Sequence, residues 1–339
     1  MANAVRHSTF LIAAGAVGLA AIASFHHDLA IDEPFTALAV AHPSTLGATL
    51  VHDNVPLYYV LLLGWSRLFG QSAFALRALS MAAFAGAILF SAAAARSVVA
   101  LNSRGGEDGP ALTAAFVACS VTFGLQPAAT ARPYALVMML AAMAVWAAVR
   151  EARFLLFAAH LFGLFAHPVF IFFSVAFAAA GIAFGRWRRL LAVTPLVALG
   201  IYLVTWGARL GRTAALPTTS WMPRPALADV VSGLLFWGDR ATPILAIVIF
   251  VLIVGRGPDR IRGRAGAAAF LLMLTALTLV GTIGVSAVRP VYLASRTPVL
   301  VLPAVAVACG VLAAELGGRL ATVALVGLVG VSAVRFTVK

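Results

Sequence analysis

The chain has 339 residues, of which 63% are hydrophobic and only 10% charged. Soluble domains run at about 45–50% apolar and about 25% charged, so this composition excludes a water-soluble globular protein, a disordered chain and a coiled coil. The formal net charge of +13 rests almost wholly on arginine, with Lys339 the only lysine; the arginines stand in short clusters between apolar runs, where they read as topology signals and not as a nucleic-acid surface.

In chain order, Arg6 and His7 precede the apolar stretch Thr9–Phe25. No small-residue cleavage site follows it, so it is expected to be a retained first helix, with the N-terminus cytoplasmic. Two apolar runs follow, Pro56–Phe69 and Leu76–Ala95. The first is short for a bilayer core of about 30 Å. It also carries Tyr58, Tyr59, Trp65 and Arg67, which suit an interfacial helix lying on the outer face. That choice puts the basic loop Arg96–Arg104 inside, together with Arg150–Arg153, Arg186–Arg189 and Arg256–Arg264.

Further spans are then expected at about 111–127, 133–149, 154–168, 169–185, 190–206, 240–255, 266–287, 298–315 and 320–335. The fold class is thus an all-α polytopic membrane protein of about eleven spans, with residues 26–76 as its first outer loop. Residues 1–206 form one transmembrane module, and residues 207–339 hold an outer loop and the C-terminal helices. Cys119 and Cys309 lie inside apolar runs and read as packing residues. The Phe-rich run Phe154–Phe177 reads as lipid-facing or core, with a prenyl-binding groove as the functional alternative.

On this topology the polar residues sort by side. The outer face receives Asp28, Asp32, Glu33, His52, Asp53, Arg77, Arg132, Tyr134, His167, Arg289, Tyr292 and Arg296, whereas the inner face receives mainly arginines. A carboxylate at the edge of a low-dielectric region can serve as a general base. The Asp32-Glu33-Pro34 sequence can equally begin a helix, because acids and proline both favour the first turn. Arg132 opens a span from the outer side, where it either snorkels to the interface or binds a lipid phosphate through its planar fork. Arg77 reads as a structural partner for an acid of the first loop.

Four phrases occur in order: Asp32-Glu33; His52-Asp-Asn-Val-Pro-Leu-Tyr-Tyr59; Leu68-Phe-Gly with Leu76-Arg77 and Ser80; and Ala131-Arg-Pro-Tyr-Ala-Leu136. Tyr292-Leu-Ala-Ser-Arg296 with Leu302-Pro303 follows near the end. This series resembles the GT-C superfamily of integral-membrane glycosyltransferases, in particular its protein O-mannosyltransferase and aminoarabinose-transferase branch. It covers roughly residues 10–180 well and the remainder loosely.

The resemblance implies an inverting transfer of a sugar from a polyprenyl-phosphate donor to an acceptor hydroxyl. The acceptor would be a glycan, lipid or protein at the non-cytoplasmic face of the plasma (inner) membrane. It carries the catalytic aspartate onto Asp32 and its acceptor-shaping neighbour onto Glu33, with Arg132 and Arg296 as donor-phosphate ligands. His52, Asp53, Tyr58, His167 and Tyr292 become possible site-lining residues. Where the family reads His-Pro-Pro, this chain reads Asn54-Val-Pro56. His52 therefore stands either as a shifted substitute or as a solvated loop histidine. No cofactor is certain, and a divalent metal is left open.

The alternative function is a transporter or flippase for a lipid-linked or small solute. Transport sites place ionisable residues mid-span, whereas those singled out here lie at span ends. Because Pro56–Phe69 is expected not to cross, single cysteines at Asp53 and Gln71 should both label from the outer face of intact cells; labelling from opposite faces would overturn the topology.

Overall fold

The computed structural model describes residues 2–25, 32–42, 55–100, 127–184, 189–215, 264–291 and 297–315. Among these residues the regular structure is helical, with no strand. Ten α-helices carry it: α1 (Ala2–Phe25), α2 (Glu33–Ala41), α3 (Pro56–Phe69), α4 (Ala73–Ala100), α5 (Tyr134–Val149), α6 (Arg153–Ala166), α7 (Phe170–Ala183), α8 (Arg189–Ala215), α9 (Arg264–Val288) and α10 (Leu302–Glu315). A 3₁₀ turn over Thr297–Leu300 leads into the last of them.

Proline and glycine set several boundaries. Pro34 and Pro56 occupy the first turns of α2 and α3, where a missing N–H costs nothing. Pro133 stands at the N-cap position of α5. Gly70 ends α3 with φ 88°, a conformation that disfavours a side chain.

Helix α3 coincides with the expected non-crossing segment. It buries Tyr58, Tyr59, Leu62 and Ser66 on one face and exposes Val60, Leu61, Leu68 and Phe69 on the other. The Trp65 indole N–H donates to the Ala75 carbonyl at 2.8 Å, folding α3 back onto the start of α4.

Helix α5 is the centre of the bundle. Its residues are apolar all round, and positions Ala135 to Ala148 are buried with few exceptions, as expected for a helix enclosed by others. Helices α4 and α5 run parallel: Ser80 lies by Arg132, Gly86 by Met139, and Phe90 by Trp146. The turn at Arg150–Ala152 then reverses the chain into α6, with Glu151 at φ 53°. A second reversal at His167–Val169 opens α7. Helix α9 runs back along α7, with Phe270 near Phe177 and Phe184 and Gly281 near Phe172. One end of the bundle therefore gathers the C-termini of α1, α6 and α9 with the N-termini of α2, α4, α5 and α7.

Among the described residues, three helical segments are long and apolar enough to cross a membrane: Ala73–Ala100, Ala192–Arg212 and Gly266–Val288. Apolar helices α5, α6 and α7 have 16, 14 and 14 residues, or about 21–24 Å at 1.5 Å per residue. The expected crossing of about 30 Å by each of these is thus not matched by helix length alone. The expected spans at 240–255 and 320–335, and nearly all of 111–127, lie outside the described residues.

Close approach between α6 and α7 depends on Gly163. A Cβ there would meet the Phe170 ring at 2.5 Å, and that ring is fully buried. Gly163→Ala should destabilise the protein by about 1–3 kcal/mol through overpacking. A lowered melting temperature in detergent, partly restored by adding Phe170→Leu, is the expected outcome.

Candidate functional site

The site begins with Glu33, the first residue of α2. Its carboxylate and the Arg77 guanidinium are both buried, at 1% and 2% side-chain exposure. Arg77 Nη2 donates to Oε2 at 2.7 Å and its Nε donates to Oε1 at 3.0 Å, forming a two-pronged fork. The Ala131 backbone N–H donates to the same Oε1 at 2.6 Å. On its far side Arg77 Nη1 donates to the Ser24 carbonyl at 2.7 Å. One ion pair thus ties together the end of α1, the start of α2, the first turns of α4 and the turn before α5. Removing both charges from water is costly, and full hydrogen bonding is what makes the pair tolerable.

Asp32 has a different fate. It occupies the N-cap position of α2 with helical dihedrals (φ −89°, ψ −17°), and its side chain makes no capping hydrogen bond. Its carboxylate is 36% exposed and lies 3.6 Å from Arg132 Nη2. That separation is an ion pair, longer than a hydrogen bond. The adjacent acids therefore divide: Glu33 is enclosed by structural partners, and Asp32 faces the end of the bundle.

Arg132 is held by its backbone. Glu33 grips the preceding amide at Ala131, and the Ser80 hydroxyl donates to the Arg132 carbonyl at 3.3 Å. The Arg132 N–H bonds to the Thr130 carbonyl at 2.9 Å. Its side chain is 22% exposed, yet its Nε is buried and has no hydrogen-bond partner.

Tyr58 comes from α3 and is 1% exposed. Its hydroxyl lies beside Ser80 without a well-formed hydrogen bond, in electrostatic reach of Arg132 and Glu33. Burial pushes the hydroxyl well above the ordinary tyrosine pKa, so at neutral pH it is a neutral donor. His167 ends α6 at the same end of the bundle. Its Nδ1 accepts the Val169 N–H at 3.2 Å, and its ring lies 5.5 Å from that of Tyr134. The accepted bond leaves Nε2 to carry the proton of a neutral ring.

The structure thus brings Asp32, Glu33, Arg77, Arg132 and Tyr58 together, with His167 and Tyr134 at the same end. His52, Asp53, Tyr292 and Arg296 lie outside the described residues, as do His26 and Asp28. Among the described residues there is no group of three or more His, Cys, Asp or Glu side chains placed to hold a metal ion.

Two side chains were given no role in the sequence. Ser80, which closes the phrase that begins at Leu68, supplies a buried hydroxyl to the Arg132 turn. His160 is buried in mid-α6, with Nδ1 2.9 Å from the Ser174 hydroxyl and its ring among Phe170, Phe173 and Phe177. No signal in the Phe-rich run distinguished it.

Compared with protein families, curated proteins and solved structures, the chain gives no match. The site's chemistry therefore has to be argued from its own residues. A partly exposed carboxylate beside a guanidinium with unused donors can accept a proton and hold an oxyanion within one small volume.

Glu33→Gln would leave Arg77 charged and buried without its counter-ion, at a cost of about 3–5 kcal/mol. Asp32→Asn, at a partly exposed position, should change stability by less than about 1 kcal/mol. Melting in detergent checks the contrast, and equal effects of the two variants would remove the structural assignment of Glu33.

Proposed function

We propose that this chain is an integral-membrane glycosyltransferase. On this reading it moves a sugar, with inversion, from a polyprenyl-phosphate donor to an acceptor hydroxyl on the non-cytoplasmic side of the plasma (inner) membrane. The observation that carries the reading is the meeting of Asp32 with Arg132, 100 residues apart in the chain and 3.6 Å apart in space, at one end of an apolar helical bundle. The ordered phrases through residues 32, 58, 77 and 132 support it, because their residues converge on that one location.

An acceptor hydroxyl is a poor nucleophile at neutral pH. In the proposed reaction Asp32 takes its proton as the oxygen attacks the anomeric carbon from the face opposite the phosphate. The bond between that carbon and the phosphate oxygen breaks, and its electron pair leaves with the phosphate. Arg132, with Arg296 as the expected second cation, stabilises the charge released there. One base suffices, so this is a single displacement, unlike the two-carboxylate hydrolysis of glycosidases. Glu33 acts as a positioning residue through the Ala131–Arg132 turn. The topology belonging to this reading is about eleven spans with the N-terminus inside, α3 lying along the outer surface, and the site facing outward.

Transport of a lipid-linked or small solute is the second reading. His160, a buried ionisable side chain in mid-helix, is the observation in its favour. Its neighbours are Ser174 and three phenylalanines, which make a packed environment and not a polar path.

Purified protein in detergent should transfer label from one member of a panel of radiolabelled polyprenyl-phosphate sugars. Asp32→Asn keeps the size of the side chain and removes its basicity. It should slow that transfer by about 10²–10⁴-fold with an unchanged melting temperature. Turnover near the wild-type rate in this variant would show that Asp32 is not the base.

A further inference from the structure

We propose that the end of the bundle opposite the Asp32–Arg132 pair is a docking surface for anionic phospholipid headgroups, centred on Arg150, Arg153 and Arg96. It uses none of the residues of the proposed transfer reaction.

The α5–α6 reversal at Arg150–Ala152 marks this end. Helix α4 ends here because it runs parallel to α5. Helix α7 returns here from the His167–Val169 turn, and α8 starts beside it: a Cβ on Gly181 would lie 3.2 Å from the Ala192 Cβ. Helix α9 begins at the same level, with Phe270 near Phe177 and Phe184. Helix α1 has its last turn on Arg77 at the other end, so its start lies here. Six arginines are thereby gathered: Arg6 on α1, Arg96 on α4, Arg150 at the C-cap of α5, and Arg153, Arg189 and Arg264 as the first residues of α6, α8 and α9. Among the described residues the acids at this end are Glu151 and Glu315.

Local helix physics disfavours this placement. The start of a helix is electropositive and prefers acids, yet three helices begin on an arginine. None of the four helices starting here has an acid in its first turn. A surplus of like charge on electropositive helix starts is relieved by anions from outside the bundle.

The surroundings indicate which anion. Arg150 and Arg153 are exposed, and Phe154, next in the chain, is 83% exposed. An arginine beside an exposed aromatic ring suits the boundary between lipid chains and headgroups. Helix α4 is long and apolar enough to cross a membrane, and Arg96 belongs to its least buried stripe, with Ala82, Leu89, Ala93 and Ala100. That stripe faces lipid, so Arg96 stands where it reaches the headgroup layer. Arginine forks match phosphate oxygens, and a basic cluster at this level selects lipids of net negative charge.

The test measures binding of phosphatidylglycerol and phosphatidylcholine, with the same acyl chains, to the full chain in detergent. Phosphatidylglycerol should bind more tightly, with a preference that shrinks as salt is raised. Arg150→Gln and Arg153→Gln should each weaken its binding about fivefold, the share of one basic residue at an anionic surface. Without lipid, the melting temperature of Arg153→Gln should stay the same or rise, because a cation leaves a helix start; a structural role would lower it. Arg67→Gln, at the exposed end of α3 on the other side of the bundle, should bind as the wild type does.

Arginines that served only to orient the chain during insertion would leave the folded protein indifferent to headgroup charge. Equal affinity for the two lipids, unchanged binding in both Arg150→Gln and Arg153→Gln, or an equal loss in Arg67→Gln would therefore overturn the proposal.

Discussion

The ion pair between Glu33 and Arg77 is the constraint on which one end of this bundle depends. Two charges almost wholly excluded from water must satisfy nearly every donor and acceptor they carry, or the protein would be more stable without them. Here the partners come from four separate segments: Ser24 of α1, Glu33 of α2, Arg77 of α4 and Ala131 before α5. Loop ends that are distant in sequence are thereby brought to one point. The planar guanidinium suits this task, since it grips the carboxylate with two nitrogens and reaches a backbone carbonyl with the third; a lysine offers a single point charge.

The same pair explains how neighbouring acids take different roles. With Glu33 turned into the protein, Asp32 remains at the surface of the bundle end, and no capping bond engages its side chain. The Ala131 amide, held by Glu33, sets the turn from which Arg132 projects toward Asp32. The order of dependence runs from burial to backbone position to a charged pair in partial contact with solvent. On the proposed function, the buried Glu33 would fix the geometry without itself titrating, and the more exposed Asp32 would be left to act as the base.

Much of this was legible in the residues. Apolar runs and prolines gave α3 at Pro56–Phe69, α5 against an expected 133–149, and the α6–α7 hairpin against 154–168 and 169–185. Arg77 was readable as a partner for a first-loop acid, since an arginine at the outer end of an apolar run needs a counter-charge. Length was less legible. Helices α4 and α8 extend beyond the expected spans and α7 is three residues shorter than its own, whereas α5 and α6 come within one residue of the expected length, because hydropathy marks apolar surface and not the points where hydrogen bonding stops. Ser80 stood in a quoted phrase without a role and His160 was missed, because a single polar side chain inside an alanine- or phenylalanine-rich helix leaves the hydrophobic pattern intact. The different burial of Asp32 and Glu33 was foreshadowed in the residues themselves only by Pro34, since side-chain direction at a helix start depends on what packs against it.

The central claim is that Asp32 and Arg132 face a donor while Glu33 holds the frame behind them. It is tested most directly by a cryo-electron-microscopy map of the full chain in lipid nanodiscs with a polyprenyl phosphonate sugar, whose carbon link to phosphorus cannot transfer. The account predicts phosphonate density on the Arg132 guanidinium, the anomeric carbon within reach of an acceptor held by Asp32, and Glu33 still on Arg77. Phosphonate density away from Arg132, or a Glu33 carboxylate released from Arg77 to meet the sugar, would contradict it.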